Sequence, residues 1–313
     1  MSTAPPPPSA AAAPSPGAPP LSPEALLRRV ELRIGHRLDG VLQGERRGRR
    51  PGPGGEPTVT RTYQPGDDVR WIDWPLTARA GEPTVRVPEL EPVLTAWALV
   101  DRSPSMAFGS AVRTKAQLAS EALAGLGVVL RRRGDRLGVV ATAHGDLDLV
   151  RPPVGDRRGL VAALRAVESV VPEETPGRTD LARAARTLGR VARHRGAVVL
   201  ISDLPVSSEL ESALGVLARR HQLIALQIGD PRERELPVLG AVRMRDMETG
   251  ATRLVDTADP RFRARLAQVV AEDEAARAAM LARVRARHVR LDTTGDWVLE
   301  LARALARGGG VRA

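Results

Sequence analysis

Residues 93–105 of the chain read VLTAWALVDRSPS, in which an apolar run ends at Asp101 and gives way to a short polar stretch. A continuous apolar run bounded by polar residues is typical of a strand that is buried on both faces of a sheet. A second such run, AVVLIS at 197–202, also leads directly into an aspartate, Asp203. Segments with helical spacing of apolar residues separate these runs. The alternation predicts a three-layer α/β fold around a doubly wound, mainly parallel sheet.

The other elements of the predicted domain follow the same two patterns. Helices are predicted over 115–133, 157–170, 180–194, 208–220, 260–287 and 296–306. Further strands are predicted over 137–142, 147–150, 223–228 and 288–291. The stretch VRMRDMETGATRLVD predicts a hairpin that turns at Thr249-Gly250. Together these elements place the α/β domain at 90–306.

The chain outside this domain divides into two tails and a small module. Residues 1–21 are rich in proline and alanine, a composition that predicts a disordered tail. At Ser22, a serine N-cap followed by proline and glutamate predicts the start of a helix. Residues 44–57 are rich in glycine, proline and arginine and predict a basic loop. We therefore expect an N-terminal module at 22–89 and a flexible C-terminal tail at 307–313.

Composition narrows the class of protein. The 313 residues carry a net charge of +10, from 47 basic and 37 acidic residues, but Lys115 is the only lysine. This use of arginine indicates the codon bias of a high-GC genome rather than a nucleic-acid-binding surface, so we expect no nucleic-acid partner. The absence of cysteine excludes disulfides and thiolate metal sites. No window is apolar enough to span a bilayer, and we expect a cytoplasmic protein without membrane insertion.

Two of the predicted strands lead into carboxylates, Asp101 and Asp203. In a parallel sheet both lie at the carboxyl edge, where open α/β folds bind ligands. The first strand continues as DRSPS, whose alternation lets the Asp101 carboxylate and the hydroxyls of Ser103 and Ser105 converge from one loop. In GRTDL, Thr179 precedes a predicted helix at another loop of the sheet. One or two carboxylates and three hydroxyls form an all-oxygen site that suits Mg²⁺ or Mn²⁺ and disfavours Zn²⁺.

Each of these motifs also has a simpler interpretation. Taken alone, Thr179 followed by Asp180 is a good helix N-cap, and Asp203 could cap the helix that follows it. The order of the three motifs, each at the expected end of a strand or helix, favours a metal site over unrelated caps.

The segments DRSPSM, GRTDL and LISDL resemble the metal-ion-dependent adhesion site (MIDAS) of von Willebrand factor A domains. The resemblance implies that the DxSxS residues and the threonine coordinate Mg²⁺ and that the last aspartate helps through water. It also implies that an acidic side chain of a protein partner completes the coordination shell. All five positions match, and the implied ligands are Asp101, Ser103, Ser105, Thr179 and Asp203.

Upstream, the block RTYQPGDDVRWIDWPLTARAGEPTVR, followed by Glu91 and DRSPSMAFG, resembles a bacterial von Willebrand factor A-like family, domain-of-unknown-function family fifty-eight. The similarity runs from about residue 36 to the end. Members are often encoded beside MoxR-type AAA+ ATPases and are thought to act with them as assembly or chaperone-like factors. Many members begin with transmembrane helices where this chain has a proline-rich tail, and Pro57 replaces a usual aromatic or apolar residue. The motif residues are Arg61, Tyr63, Gly66, Asp67, Asp68, Arg70, Trp71, Asp73, Trp74, Arg79 and Glu91.

This family motif indicates a structural role more than catalysis. Arginines in the segment can pair with its three aspartates, which keeps the carboxylates ionised, unlike a general acid. Trp71 and Trp74, three residues apart, are predicted to share the buried face of a helical turn. We interpret the motif as a clamp between the N-terminal module and the sheet, with a partner-binding surface as the alternative, and predict no catalytic residue. The pairing residues are Asp67, Asp68 and Asp73 with Arg70 and Arg79.

These features favour a non-enzymatic, metal-dependent protein-interaction protein. The resemblance implies an adaptor or assembly factor that acts with a MoxR-type AAA+ ATPase or its client. The chain has no GxxxxGK[ST] phosphate loop, so ATP hydrolysis would belong to that partner. Two alternatives remain open. One is a metal-dependent hydrolase in which Asp67, Asp68 or Asp73 assists a metal-activated water, and the other is an arginine-rich nucleic-acid-binding protein.

Overall fold

The structure, a computed structural model, describes residues 21–46, 58–88, 93–109, 112–143, 145–170, 179–245 and 250–306. Glu91, Thr249, most of the predicted basic loop and the predicted tails apart from Leu21 lie outside these residues. Within the described part of the chain, no helix is both long enough and apolar enough to cross a bilayer.

The helices and strands are numbered here in chain order. The helices are α1 (Pro23–Arg46), α2 (Trp74–Ala80), α3 (Lys115–Arg132), α4 (Arg157–Glu168), α5 (Leu181–Val191), α6 (Ser208–Ala218), α7 (Pro231–Arg234), α8 (Pro260–Arg283) and α9 (Trp297–Ala306). The strands are β1 (Thr58–Thr62), β2 (Thr84–Pro88), β3 (Thr95–Asp101), β4 (Arg136–Thr142), β5 (Leu149–Val154), β6 (Gly196–Ser202), β7 (His221–Gly229), β8 (Ala241–Arg245), β9 (Thr252–Asp256) and β10 (Arg287–Asp292).

A six-stranded sheet organises the larger part of the chain, with the strand order β10-β7-β6-β3-β4-β5. Five strands are parallel, and only the edge strand β5 runs antiparallel, paired with β4. Counted within this sheet, the order is 3-2-1-4-5-6, which is the doubly wound order of dinucleotide-binding folds. The predicted fold is confirmed. The connections change direction between β3 and β6, and ligands bind at such a switch point in open α/β sheets.

Alternate residues of each strand point to opposite faces of the sheet, and helices cover both faces. On one face, Ala96, Ala98 and Val100 of β3 pack in a cluster with α1, α3, α4 and α9. On the other face, Trp97 and Leu99 pack with α5, α6 and the end of α8. Strands with apolar side chains on both faces need helices on both sides, and the result is the expected three-layer arrangement.

The chain divides into two compact units whose boundary differs from the predicted one. One unit comprises Met1–Val41 and Leu94–Ala313, and the other comprises Leu42–Val93. We predicted a module at 22–89, but most of α1 belongs to the larger unit. The reason is an apolar stripe on α1 that is buried in the main core, formed by Leu26, Leu27, Val30 and Ile34.

Two antiparallel hairpins complete the structure. In the smaller unit, β1 pairs with β2, and α2 lies in the connection between them. In the larger unit, β8 pairs with β9 as the sequence predicted, although part of the turn lies outside the described residues. The helix α8 follows this second hairpin, and its buried residues lie in its C-terminal third, at Arg277, Met280 and Leu281. The N-terminal two thirds of α8 therefore present most of their surface to solvent.

Candidate metal centre

The candidate centre lies where β3 and β6 end, beside the switch point of the sheet. Asp101 is the last residue of β3, and Asp203 directly follows β6, which pairs with β3 in parallel. The register of the two strands therefore brings both carboxylates to one edge, as predicted from the sequence. Asp101 is only 2% exposed, so its carboxylate needs polar or charged partners within the protein.

The loop after β3 turns its hydroxyls toward these carboxylates. The backbone N–H of Ser103 donates to Asp101 Oδ1 at 2.8 Å, which folds the chain back at the strand end. The Oγ atoms of Ser103 and Ser105 are 3.0 Å apart, and Ser105 Oγ donates to Asp203 Oδ2 at 2.7 Å. A short 3₁₀ turn over 104–107 buries Met106 completely, which anchors the loop. Four of the five predicted residues thus form one hydrogen-bonded group.

Thr179 approaches the same cleft from the start of α5. Its Oγ1 donates to the carbonyl of Ala143 at 2.7 Å, so it is held by the loop after β4. The N-cap of α5 is Asp180, whose side chain accepts from Arg183 N–H, and the N-cap of α6 is Ser207. The helix-cap interpretation of the Thr179-Asp180 pair is therefore confirmed at Asp180, whereas Thr179 and Asp203 themselves are not N-caps. All five predicted residues line one cleft of about 460 Å³.

The electrostatics of the site favour a cation. Burial raises the pKa of Asp101 to about 6, and the nearby charge of Asp203 adds to the rise. Hydrogen bonds from Ser202 and Ser103 act in the opposite direction. A buried carboxylate whose ionisation is disfavoured by burial and by a second carboxylate, with hydroxyl oxygens beside it, is the kind of surrounding in which a hard divalent cation is stabilised.

Ser202 is a residue of the candidate site that sequence analysis missed. As the last residue of β6, it donates from Oγ to Asp101 Oδ2 at 2.6 Å and accepts from Leu204 N–H at 2.9 Å. It thereby fixes the orientation of a buried carboxylate from the neighbouring strand. The available signal was its position directly before Asp203 in LISDL.

Lys115 brings a fixed positive charge to the site. Its Nζ lies 2.9 Å from Asp203 Oδ2 and 2.6 Å from Glu233 Oε1, and the residue is 1% exposed. Burial alone would lower the pKa of Lys115, but Asp203 and Glu233 outweigh that effect and raise it. Lys115 begins α3 after a capping box formed by Thr114 and Gln117. Lys115 is the only lysine of an arginine-rich chain, and this was the signal in the sequence that it could belong to the site.

The donor set fits Mg²⁺ or Mn²⁺ in kind and in charge. The described residues contain no group of three or more His, Cys, Asp or Glu side chains that could hold a metal ion. A metal here would depend on two carboxylates, three hydroxyls and water, which is the oxygen-rich coordination that Mg²⁺ accepts. The Lys115 ammonium offsets part of the negative charge contributed by Asp203 and Glu233.

The aspartates of the family motif are bound within their own segment. Arg61 contacts Asp67 through two hydrogen bonds of 2.6 and 2.7 Å, and Gln64 N–H also donates to Asp67. Arg70 donates to Asp68, and these arginines hold the pKa of both carboxyls below the usual range. The turn at Pro65-Gly66 forms with a φ of 109° at Gly66.

Asp73 and the tryptophans differ from the expectation. Asp73 caps α2 by accepting from Leu76 N–H, an interaction that lowers the pKa of its carboxyl, and its ion-pair partner is Arg86 rather than Arg79. Trp71 and Trp74 are 50% and 67% exposed, so the predicted buried face is wrong. The reason is local: a 3₁₀ turn ends at Trp71, the next residue is extended with ψ 125°, and α2 starts only at Trp74. Three-residue spacing therefore does not place the rings on one helical turn.

Comparisons with known proteins identify the family of the chain. Residues 59–276 match the family model described as "Protein of unknown function DUF58". The uncharacterized protein Rv1480 of Mycobacterium tuberculosis is 36% identical over 282 residues, which cover 90% of this chain and 88% of that protein. The uncharacterized protein MAV169 of Mycobacterium avium is 37% identical over 126 residues, covering 40% of this chain and 74% of that protein.

Solved structures resemble this chain at low sequence identity. An aerotolerance-related membrane protein from Bacteroides fragilis has a TM-score of 0.46 at 17% identity, covering 68% of this chain and 97% of its own. The SpRpn10 VWA domain has a TM-score of 0.40 at 13% identity, covering 71% of this chain and 100% of its own. The fold assignment rests on the strand order rather than on these scores. By the family match and the mycobacterial identity, the chain belongs to the DUF58 family of proteins of unknown function.

Proposed function

We propose that the protein is a non-enzymatic interaction protein that binds a partner through a magnesium ion. The observation that carries the proposal is the convergence of two carboxylates and two serine hydroxyls in one group at an open cleft. The residues that would hold the ion are Asp101, Ser103, Ser105, Thr179 and Asp203.

The ion would act as a bridge to the partner. Mg²⁺ in a protein usually keeps several waters, and these can be displaced by a carboxylate from another molecule. Asp101 would contribute a buried, oriented charge, and Ser202 would hold that carboxylate in place through its 2.6 Å hydrogen bond. The cleft, which the ends of β3 and β6 help to line, would give an acidic side chain of a partner access to the ion.

The partner we propose is a MoxR-type AAA+ ATPase or a client that it remodels. The proposal follows from the family resemblance, since members are often encoded beside such ATPases. It fits a chain whose sequence has no GxxxxGK[ST] phosphate loop of its own. The protein would then be an adaptor that presents a metal site, while the partner supplies the ATP hydrolysis.

The hydrolase alternative loses the base that it requires. That alternative needs an unpaired carboxylate among Asp67, Asp68 and Asp73 to assist a metal-activated water. Each of the three is bonded to an arginine and to a backbone N–H, and the pKa of each is lowered, which makes it a weaker base. We therefore do not retain this alternative.

The nucleic-acid alternative has less support than the metal site. Many of the described arginines are committed to carboxylates, among them Arg61, Arg70, Arg86, Arg113, Arg131, Arg165, Arg234, Arg277, Arg283 and Arg290. An ion pair within the protein must be broken before its arginine can neutralise a phosphate, which weakens a general phosphate-binding surface.

The test is metal-dependent binding to a purified MoxR-type AAA+ ATPase from the same organism. Wild type, Asp101→Ala and the control Asp156→Ala, an N-cap residue of α4 that does not line the cleft, are compared in magnesium and in EDTA. We expect binding in magnesium for wild type and the control, and loss of binding in EDTA or with Asp101→Ala. Calorimetric Mg²⁺ titration of the free protein reports metal binding separately. Binding that survives both EDTA and Asp101→Ala would remove the metal bridge.

A further inference from the structure

Lys115 contacts one of the candidate metal ligands directly. Its Nζ lies 2.9 Å from Oδ2 of Asp203, the same atom that accepts a 2.7 Å hydrogen bond from Ser105 Oγ. A metal ion that draws on this carboxylate therefore approaches an oxygen that already has two donors. Two cations beside one carboxylate repel each other strongly at the low effective dielectric constant of a protein. A bound metal ion and the ammonium of Lys115 would therefore compete for Asp203.

A second carboxylate offers the ammonium another position. Nζ lies 2.6 Å from Glu233 Oε1, which is closer than its approach to Asp203. The other oxygen of Glu233 accepts from Asp230 N–H at 3.2 Å, as part of the capping box that begins α7. Glu233 is thus held by the helix to which it belongs. Lys115 can release Asp203 and still keep an ion pair.

The burial of Lys115 limits where its ammonium can go. Its side chain is 2% exposed, whereas the side chains of Asp203 and Glu233 are 22% and 38% exposed. A buried charge is costly unless it is paired, so the ammonium is expected to stay with at least one of the two carboxylates. Lysine carries this charge on a flexible four-carbon stem, so a small rotation of the side chain is enough to change partners.

The charges that line the cleft are compatible with a lysine that changes partners. Among the described residues that line it, six carboxylates face four basic side chains, a formal excess of two negative charges. The carboxylates are Asp101, Asp203, Asp230, Glu233, Asp273 and Glu274, and the basic residues are Lys115, Arg234, Arg277 and Arg290. One divalent cation balances this excess while Lys115 remains in the cleft. The metal therefore needs to displace the ammonium only from Asp203.

We propose that Lys115 is an internal competitor of the metal ion, which holds Asp203 when no divalent cation is bound and pairs with Glu233 alone when one binds. This inference rests on the proposed function, because it concerns the same site. The apparent affinity of a site falls in proportion to the fraction of time in which it is competent to bind. Lys115 therefore lowers the affinity for Mg²⁺, and Glu233 of α7 restores part of it.

Calorimetric Mg²⁺ titration of the full chain tests the competition. The proteins are wild type, Lys115→Met, Glu233→Gln, the double variant Lys115→Met/Glu233→Gln and the control Arg290→Gln. Arg290 lines the same cleft, but its carboxylate partners are Glu274 and Asp292. We expect Lys115→Met to bind Mg²⁺ about tenfold more tightly than wild type. The control removes the same charge away from Asp203 and should change the affinity by no more than about threefold.

Glu233→Gln separates competition from the general loss of a negative charge. In the wild-type background it should weaken Mg²⁺ binding by about fivefold, because the ammonium is left with Asp203 alone. In the Lys115→Met background it should change the affinity by no more than about twofold, because the competitor is absent. A simple charge effect would instead weaken binding equally in both backgrounds.

A second measurement observes the ammonium group of the wild-type protein. Lys115 is the only lysine of the chain, so biosynthetic labelling with lysine carrying ¹³C at Cε gives a single labelled side chain. We expect its NMR signal to move as Mg²⁺ is added, with the midpoint that calorimetry gives, and to return in EDTA. In Asp101→Ala the signal should not respond to Mg²⁺. This measurement remains decisive if Lys115→Met does not fold.

The outcomes separate this inference from the proposed function. Mg²⁺ binding by wild type with an unmoved lysine signal, or with equal affinities for wild type and Lys115→Met, overturns the competition and leaves the metal site in place. Equal effects of Glu233→Gln in both backgrounds also overturn the competition. Binding by Lys115→Met but not by wild type supports it. The absence of Mg²⁺ binding in both proteins overturns the metal site and this inference together.

Discussion

The ammonium of Lys115 lies 2.9 Å from Oδ2 of Asp203, the carboxylate that completes the candidate metal centre. The same ammonium contacts Glu233, so one cation links the loop after β6 to α7. Both partners lie far from Lys115 in sequence, and their approach is created by the fold alone. A positive charge is therefore part of the site even before a metal binds.

Lys115→Met should destabilise the metal-free protein by about 1–2 kcal/mol, because the ammonium is buried but the side chains of Asp203 and Glu233 are 22% and 38% exposed, so solvent screens part of the charge that the substitution leaves unpaired. Urea unfolding in EDTA measures the loss. Excess Mg²⁺ should recover part of it, since a ligand that binds only the folded state stabilises that state.

The matched control for this prediction is Arg303→Met, which removes an exposed ion pair with Glu300 and should change stability by no more than about 0.5 kcal/mol. If Lys115→Met is as stable as the control in EDTA, the ammonium does not offset the charge of Asp203.

Ser202→Ala should weaken Mg²⁺ binding by about tenfold or more without unfolding the protein, as expected for a residue that orients a metal ligand. The hydroxyl donates to Asp101 Oδ2, and its loss frees that carboxylate to rotate away from the cleft. Calorimetric Mg²⁺ titration measures the change. Ser169→Ala, which removes a hydroxyl bonded to the Ala166 carbonyl, is the control and should bind Mg²⁺ as wild type does. Equal affinities for the two variants would refute an orienting role.

The sequence was sufficient to predict the features of the fold and of the site that depend on the local residue pattern and on the order of the strands. Apolar runs that end in Asp101 and Asp203 were enough to expect both carboxylates at one edge of a parallel sheet. The contributions of Ser202, Lys115 and Glu233 could not be predicted in this way, because they arise between elements 88 or more residues apart, or across two strands.

Two predictions from the sequence were wrong, and each has its own physical cause. The start of α1 was assigned to the small module, yet its apolar stripe lies in the main core, where Glu31 also pairs with Arg131. The residues of an amphipathic helix do not by themselves show which part of the chain will bury its apolar face. Trp71 and Trp74 were expected to share a buried face, but the extended residue Ile72 breaks the helical spacing between them.

Acidification should destabilise the protein through His221, which is 6% exposed and whose pKa is lowered by burial. The unfolded chain takes up a proton near pH 6.5, whereas the folded chain resists it, so stability falls as pH decreases below that value. The slope from one such group is at most about 1.4 kcal/mol per pH unit. The pKa of Asp101 is raised in the folded chain, so protonation of Asp101 stabilises the fold as the pH falls, opposite to the effect of His221. The contribution of His221 must therefore be measured by comparing variants.

His221→Gln should therefore show a shallower loss of stability between pH 7 and pH 5 than His194→Gln, which replaces an exposed histidine. Urea midpoints measured in the two variants at each pH give the difference directly. Parallel pH profiles would show that the imidazole of His221 is protonated as readily in the folded chain as in the unfolded one.

The exposed tryptophans can be distinguished from the buried pair by fluorescence. Trp97 and Trp297 are 8% and 0% exposed, whereas Trp71 and Trp74 are at least half exposed. The double variant Trp71→Phe/Trp74→Phe should lose most of the emission that acrylamide quenches, and its stability should change by no more than about 0.5 kcal/mol because little packing is removed. Wild-type protein denatured in urea gives the fully quenchable reference.

If the variant loses several kcal/mol of stability, or if wild-type emission resists acrylamide throughout, the rings are buried and the clamp interpretation of the motif is restored. If the variant folds normally but binds the ATPase less tightly, the tryptophans belong to the surface that a partner recognises.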